Sequence, residues 1–388
     1  MFWPRGQKNV EFETNFYIVP DTKKELGAWN SSAPTIRERF MKFAKFGATL
    51  ALATALVGTS IATPLKAANI DGPKVFWKIS MWGNPRALSA GMEELVKRAA
   101  EETDGNFEIK IFYGAQLSSN RENLDGIKLN AFEGAAICNF YHPGKNPAWM
   151  VFSLPFLPLG DPKVDKYVRS RMMENPAIVA DMAKWNAMPY VSGLLPQYEI
   201  LGKGPVPTTL EGWNGLRVRA GGGLGTAMEK LGAVKQTLPA GETSTAFQRG
   251  ALDAAAFPYT YAHVSFKISD EADWYTSNLA PGTSECSWVL NKTAYDALPP
   301  QYQKILMDNR DMIMDLEQQA YAEQDAKNLP EFEKTMTKIV YSDDELERFK
   351  EIAGKPVWDE WIAANSDKFD AQGVFDAVWA LAEEAKSQ

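Results

Sequence analysis

The sequence predicts an α/β protein of two lobes. Strand-like and helix-like stretches alternate from about residue 74 onward, the pattern of right-handed βαβ units in a largely parallel, helix-covered sheet. The 388 residues suffice for two domains of ordinary size. A third observation is the stretch 209–258, where strand, Gly-rich turn, helix and buried strand follow one another without interruption.

The N-terminus reads as an address. Arg37, Arg39, Lys42 and Lys45 precede an apolar run over 46–62, and Pro64-Leu65-Lys66-Ala67-Ala68 follows. A positive segment, an apolar segment and a small-residue exit make a secretory signal peptide. A membrane anchor is the alternative, but the run is short for a span and is diluted by Thr49, Thr54, Gly58, Thr59 and Ser60. Met41 is a natural start for this peptide. Residues 41–67 are then the signal peptide and 1–40 a non-native upstream extension.

Charge excludes one class of partner. The 41 basic and 49 acidic side chains give a net charge of −8, which favours solubility. No basic patch points to nucleic acid. Cys138 and Cys286 are the only cysteines. Export permits a bridge, but two lone thiols are no disulfide framework, and Cys138 reads as a small unpaired core residue in an apolar strand.

Residues 74–82 read as the first strand, leaving through Gly83-Asn84-Pro85. A helix over 87–103 follows, with Leu88, Met92, Leu95 and Val96 near one face. Phe107-Glu108-Ile109-Lys110-Ile111-Phe112 alternates apolar and charged residues, a strand with one buried face. A helix over 120–130 leads to a buried strand over 134–140. The proline-rich loop 155–162 precedes helices that reach about 186. Residues 189–195 and 200–202 are extended, and Pro205 and Pro207 punctuate the way to the next strand. The chain crosses between lobes here and again near 287–290.

From Pro299, a proline tolerated in a first helical turn, one helix of about 30 residues runs to about 328, a rod of about 40 Å. The tail is polar and helical, packed down by Trp358, Trp361 and Trp379. The lobes divide as 68–192 with a return over 288–320, and 193–287 with contributions from 321–388.

Groups for catalysis are missing. His142 and His263, the only histidines, lack the spacing of a metal motif. There is no Gly-x-Ser-x-Gly elbow, and the glycines over 221–225 lack the Lys-Ser/Thr of a P-loop. No enzyme activity, cofactor or metal is expected. Aromatics stand at strand ends and in loops instead: Trp82, Tyr141, Tyr198, Phe257, Tyr259 and Tyr261 among them. Ligands of open α/β sheets bind outside the carboxyl ends of strands. Core packing is the plainer reading of any one ring; as a group, several line one cleft.

Residues 209–258 carry the sharpest signal. In Gly215-Leu216-Arg217-Val218-Arg219-Ala220, alternation puts Leu216, Val218 and Ala220 on one face and both arginines on the other. An arginine beside a Gly-rich helix start is suited to a carboxylate. Spacing alone favours a strand end with solvated charges. The second half then runs Glu242-x-x-x-Ala246-x-Gln248-Arg249-Gly250-x-x-Asp253-Ala254 into Phe257-Pro258.

This order resembles the DctP-type solute-binding proteins of tripartite ATP-independent periplasmic (TRAP) transporters. Tyr113-Gly114-Ala115-Gln116-Leu117, Ser153-Leu154-Pro155-Phe156-Leu157 and Leu298-Pro299-Pro300 extend the resemblance over about 75–345. It implies a two-lobed periplasmic-binding-protein-like α/β fold, with mixed sheets flanked by helices and a long helix bracing both lobes. It also implies a periplasmic receptor that hands a small organic acid to TRAP membrane permease subunits, working as a monomer, with a dimer as the alternative. A ligand sensor of the same fold acting on a receptor is the rival reading; a periplasmic enzyme would need a nucleophile or metal not seen here.

The resemblance also implies site residues. Arg219 matches the family arginine that holds the ligand carboxylate, whereas Arg217 reads as solvated or structural. Trp82 lies at the end of the first strand, Asn120 in the loop after Gln-Leu and Asn139 at the end of the third strand. Tyr198 and Tyr259 are further ligand-binding candidates. No arginine stands near Tyr198 and Glu199, which speaks against a sugar acid. Phe257 replaces the Asn frequent in C4-dicarboxylate members and resembles the 2-oxoacid branch. A monocarboxylate, 2-oxo acid or aromatic acid is therefore favoured, with a C4-dicarboxylate as the alternative.

Overall fold

The structure, a computed structural model, describes residues 69–387. The segments read as a signal peptide and an upstream extension lie outside the described residues. The first half of the chain supplies β1 (Val75–Ser80), α1 (Ala90–Glu102), β2 (Phe107–Phe112), α2 (Asn123–Lys128), β3 (Gly134–Cys138), α3 (Pro162–Met172), α4 (Pro176–Ala183) and β4 (Ala187–Ser192). Next come β5 (Tyr198–Gly202), β6 (Arg217–Arg219), α5 (Gly222–Lys230), β7 (Val234–Gln236), α6 (Ala240–Gln248), β8 (Ala254–Pro258), α7 (Tyr259–Ser265) and β9 (Trp274–Thr276). The last part holds β10 (Cys286–Asn291), α8 (Lys292–Asp296), α9 (Pro300–Asp308), α10 (Arg310–Thr335), β11 (Thr337–Ile339), α11 (Asp343–Asn365) and α12 (Ala371–Lys386).

These strands form two sheets, one per lobe. The first runs β2-β1-β3-β10-β4 and the second β11-β9-β5-β8-β6-β7. Alternation in β2 buries Phe107 and Ile109 and exposes Glu108 and Lys110, as an edge strand with one packed face requires. The central strands β3, β5, β8 and β10 are buried throughout. Sheet direction departs from the largely parallel expectation. β10 runs antiparallel to both β3 and β4, and β5 antiparallel to β8 and β9. Both strands enter their sheet by a lobe crossing rather than a βαβ unit, so the handed crossover that enforces parallel pairing does not act on them.

Two other expectations are corrected. The rod from Pro299 is not one helix. It breaks at Asn309, whose side chain turns back to Ile305 O at 2.8 Å and receives Arg98 Nη1 at 3.4 Å, so the side chain competes with the helical ladder. The longer piece, α10, reaches Thr335 and is about 39 Å long. It braces both lobes: Arg310 Nε donates to Tyr190 O of β4 (2.8 Å), Trp288 Nε1 of β10 donates to Glu317 (3.0 Å), and Thr260 N of α7 donates to Asp325 (3.2 Å).

The second correction concerns the cysteines. Cys138 and Cys286 are disulfide-bonded. They face each other in the β3–β10 register, a juxtaposition invisible in two thiols 148 residues apart.

A buried ion cluster fixes the second crossing. Arg169 Nε donates to Asp165 at 2.6 Å and Nη1 to Glu285, while Ser192 Oγ donates to Glu285 at 2.7 Å. The tail is pinned by Trp358, which donates to Pro155 O at 2.7 Å and packs on Phe375 and Trp379. α12 packs on α3 and α11 on α5.

Candidate functional site

The carboxyl ends of β1, β3, β6 and β8 converge between the sheets, where α/β ligands bind. β6 delivers Arg219 there, and β8 delivers Phe257. β5 runs opposite to β8, so its first residue, Tyr198, pairs with Pro258 and joins them. Trp82 follows β1. These four line one narrow cavity of about 20 Å³, room for about one water. A surface groove along α3 and α10 is far larger, about 610 Å³, but Lys166 there is paired with Asp315 and Asp311 at its open rim. Buried, directed donors favour the smaller cavity.

Arg219 is 1% exposed. Nε donates to Leu238 O (3.1 Å) and Nη1 to Ala256 O (2.8 Å). The guanidinium carbon lies 4.1 Å from the Phe257 ring centroid and 5.6 Å from that of Phe140. Two carbonyls and a ring thus hold the fork in one orientation, leaving Nη2 and the second Nη1 hydrogen for an acceptor. The other arginine, Arg217, is structural: Nε and Nη2 clasp Asp253 at 2.9 and 2.5 Å.

Tyr198 shares its hydroxyl hydrogen bond with Ser284 at 2.7 Å. Burial pushes its pKa up to about 12 against the pull of Arg219, so it stays a neutral phenol and a hydrogen-bond donor. Tyr141, from the first lobe, accepts from Ala240 N of α6 at 2.9 Å, a contact between the two lobes beside the cavity. Phe257 stacks on Phe266 at 5.4 Å, and Phe266 on Trp82 at 6.3 Å.

Three candidates lie elsewhere. Asn139 spends its amide on Trp149 O (3.0 Å) and its oxygen on Phe140 N (2.8 Å). Asn120 is in the loop before α2, and Tyr259 begins α7 outside the cavity wall. At the Gly-rich helix start the Gly223 N–H donates to Ser153 Oγ at 3.2 Å. Side chains at Gly222 and Gly223 would overlap Ser153, so these glycines let the 149–153 segment approach α5.

Sequence reasoning missed Arg86, Phe140 and Phe266, all of which line the cavity. Arg86 had a signal: it follows the Gly83-Asn84-Pro85 turn by which the chain leaves β1, just beyond Trp82. Phe266 had none, because it trails the end of α7. Among the described residues no cluster of His, Cys, Asp or Glu could hold a metal, and no helix is long and apolar enough to cross a membrane.

The family model for bacterial extracellular solute-binding proteins, family 7 (DctP), matches residues 81–365. The chain belongs to this family. A monocarboxylate 2-oxoacid-binding periplasmic protein of Nostoc sp. PCC 7120 is 26% identical over 274 residues, 66% of this chain and 71% of that protein. A TRAP solute-binding protein of Rhodoferax ferrireducens, solved with copurified benzoate, superposes with a TM-score of 0.72 at 19% identity, covering 81% of this chain and 99% of that one. A Bordetella pertussis extracytoplasmic solute receptor binding pyroglutamic acid gives 0.70 at 19%, over 79% and 100%. The DctP member described here shares their two-lobed α/β fold, and its family is one of transport solute receptors.

Proposed function

We propose that this DctP protein captures a small organic acid in the periplasm, after removal of its signal peptide, and delivers it to TRAP permease subunits. The observation that carries the reading is Arg219: a buried guanidinium, oriented by two carbonyls and a ring, in a cavity whose lining holds no acidic side chain. A ligand carboxylate supplies the missing charge. The aromatic walls favour a flat or apolar body, in keeping with relatives whose names give 2-oxoacids, benzoate and pyroglutamic acid. The lobes close about a hinge, and exclusion of water strengthens the ion pair.

Mass spectrometry of the molecule that copurifies tests this directly, together with a thermal-shift screen of organic acids. An acid at 100 times its dissociation constant should stabilise the fold by about 2.7 kcal/mol. A protein that responds to no acid would overturn the reading.

A further inference from the structure

We propose that Arg86 is a second ligand anchor. The acid then presents a second set of oxygens besides those taken by Arg219, as a 2-oxo group beside the carboxylate or a second carboxylate does. This rests on the organic-acid reading and narrows it.

Arg86 lines the same cavity as Arg219. Its Nη1 donates to Asn84 O at 3.0 Å. Nε and Nη2 are buried and, among the described residues, meet no acceptor in hydrogen-bonding geometry; the neutral Tyr261 hydroxyl is the polar group they approach. These two N–H groups form one edge of the guanidinium, a pair of parallel donors matched to two coplanar oxygens. Unpartnered buried donors call for a partner.

The surroundings hold this edge in place without neutralising it. The guanidinium carbon lies 4.5 Å from the Trp82 ring centroid and 5.5 Å from that of Phe266, and the two rings are within 12° of parallel. Trp82 comes from the first lobe and Phe266 from the second, so the cation–π clamp is complete when the lobes meet. A Cβ at Gly83 would overlap Nη1, so the absent side chain there seats the group.

None of the described residues that line the cavity is acidic. The polar neighbours are Tyr261, Tyr321 and Tyr141, and burial disfavours the charged form. Elsewhere in the core, Glu199 is held by Thr276 and Ala280 N, Glu285 by Arg169 and Ser192, and one oxygen of Glu317 by Trp288. A buried cation without a partner is strongly unfavourable, and ligand oxygens on the free edge remedy this.

The test is calorimetry with two matched pairs, 4-methyl-2-oxopentanoate against 4-methylpentanoate and succinate against butyrate, on the wild type, Arg86→Met, Arg86→Lys and Arg219→Ala. The wild type should prefer the oxygen-rich member of one pair by about 10- to 100-fold, the value of hydrogen bonds to a charged group. Arg86→Met should bring that ratio close to one, and Arg86→Lys, which keeps charge but lacks the fork, should recover only part of it. The pair that shows the preference tells a 2-oxo group from a second carboxylate. Circular dichroism verifies folding, and Arg86→Lys carries the test if the methionine variant does not fold. An undiminished ratio in both Arg86 variants would overturn the assignment. So would equal wild-type binding within both pairs; if that binding is lost in Arg219→Ala, the organic-acid reading survives. No binding of any of the four acids to the wild type would sink both.

Discussion

Cys138 lies directly opposite Cys286 in the antiparallel β3–β10 ladder, and the two are joined by a disulfide. The bridge ties the end of β3 to the strand that returns from the other lobe, and both residues line the cavity. Cross-links of this kind contribute about 2–5 kcal/mol. Cys138→Ser/Cys286→Ser should therefore melt several degrees below the wild type, and reductant should lower the wild type alone. Equal calorimetric midpoints with and without reductant would show that the bridge contributes nothing.

Arg219→Ala should abolish measurable acid binding while the fold persists. Removing one partner of a buried charge pair weakens binding by about 2–5 kcal/mol, roughly 30- to 5,000-fold. Arg219→Lys should also lose much of the affinity, because lysine lacks the planar fork. Near-native affinity in Arg219→Ala would remove this residue as the anchor.

Arg169 is fully buried between Asp165 and Glu285. Arg169→Met should destabilise by about 3–5 kcal/mol, because two carboxylates lose their common cation. Adding Glu285→Gln should recover part of that loss. Urea unfolding measures both, and a single-variant loss below about 1 kcal/mol would contradict the account.

Glu199 gives a pH signature. Burial pushes its pKa up to about 7 from the ordinary 4.5, opposed by hydrogen bonds from Thr276 and the Ala280 N–H. Between these values the folded state keeps a proton that the unfolded chain has released. The stability from this group is complete below 4.5 and is lost as pH rises through about 7, by up to about 3 kcal/mol. His263 acts oppositely: burial lowers its pKa to about 3, so its effect falls on the acid side of 6.5. Glu199→Gln should gain stability relative to the wild type as pH rises from 5 to 7.5. A wild-type-to-variant difference that stays constant across this range would refute the raised pKa.

What was legible in the sequence was local or periodic. The alternation in β2 is visible because a strand turns a side chain over at every residue. The placement of Arg219, Phe257, Trp82 and Tyr198 at strand ends followed from short motifs beside breaks in the chain, and the structure brings all four to one cavity. The DctP motifs were likewise contiguous, and the family match spans residues 81–365.

Tertiary structure alone decided the rest. Whether Asn139 faced a ligand or the chain depended on Trp149 O being within reach. The helix break at Asn309 depended on its own back-bond and the approach of Arg98. The Cys138–Cys286 bond and the Trp82–Arg86–Phe266 clamp needed strand order and lobe contact to bring distant residues together. Period and turn chemistry are properties of neighbouring residues, so a sequence displays them. Directed hydrogen bonds and stacked rings depend on positions set by the whole packed chain, so they appear only once it is folded.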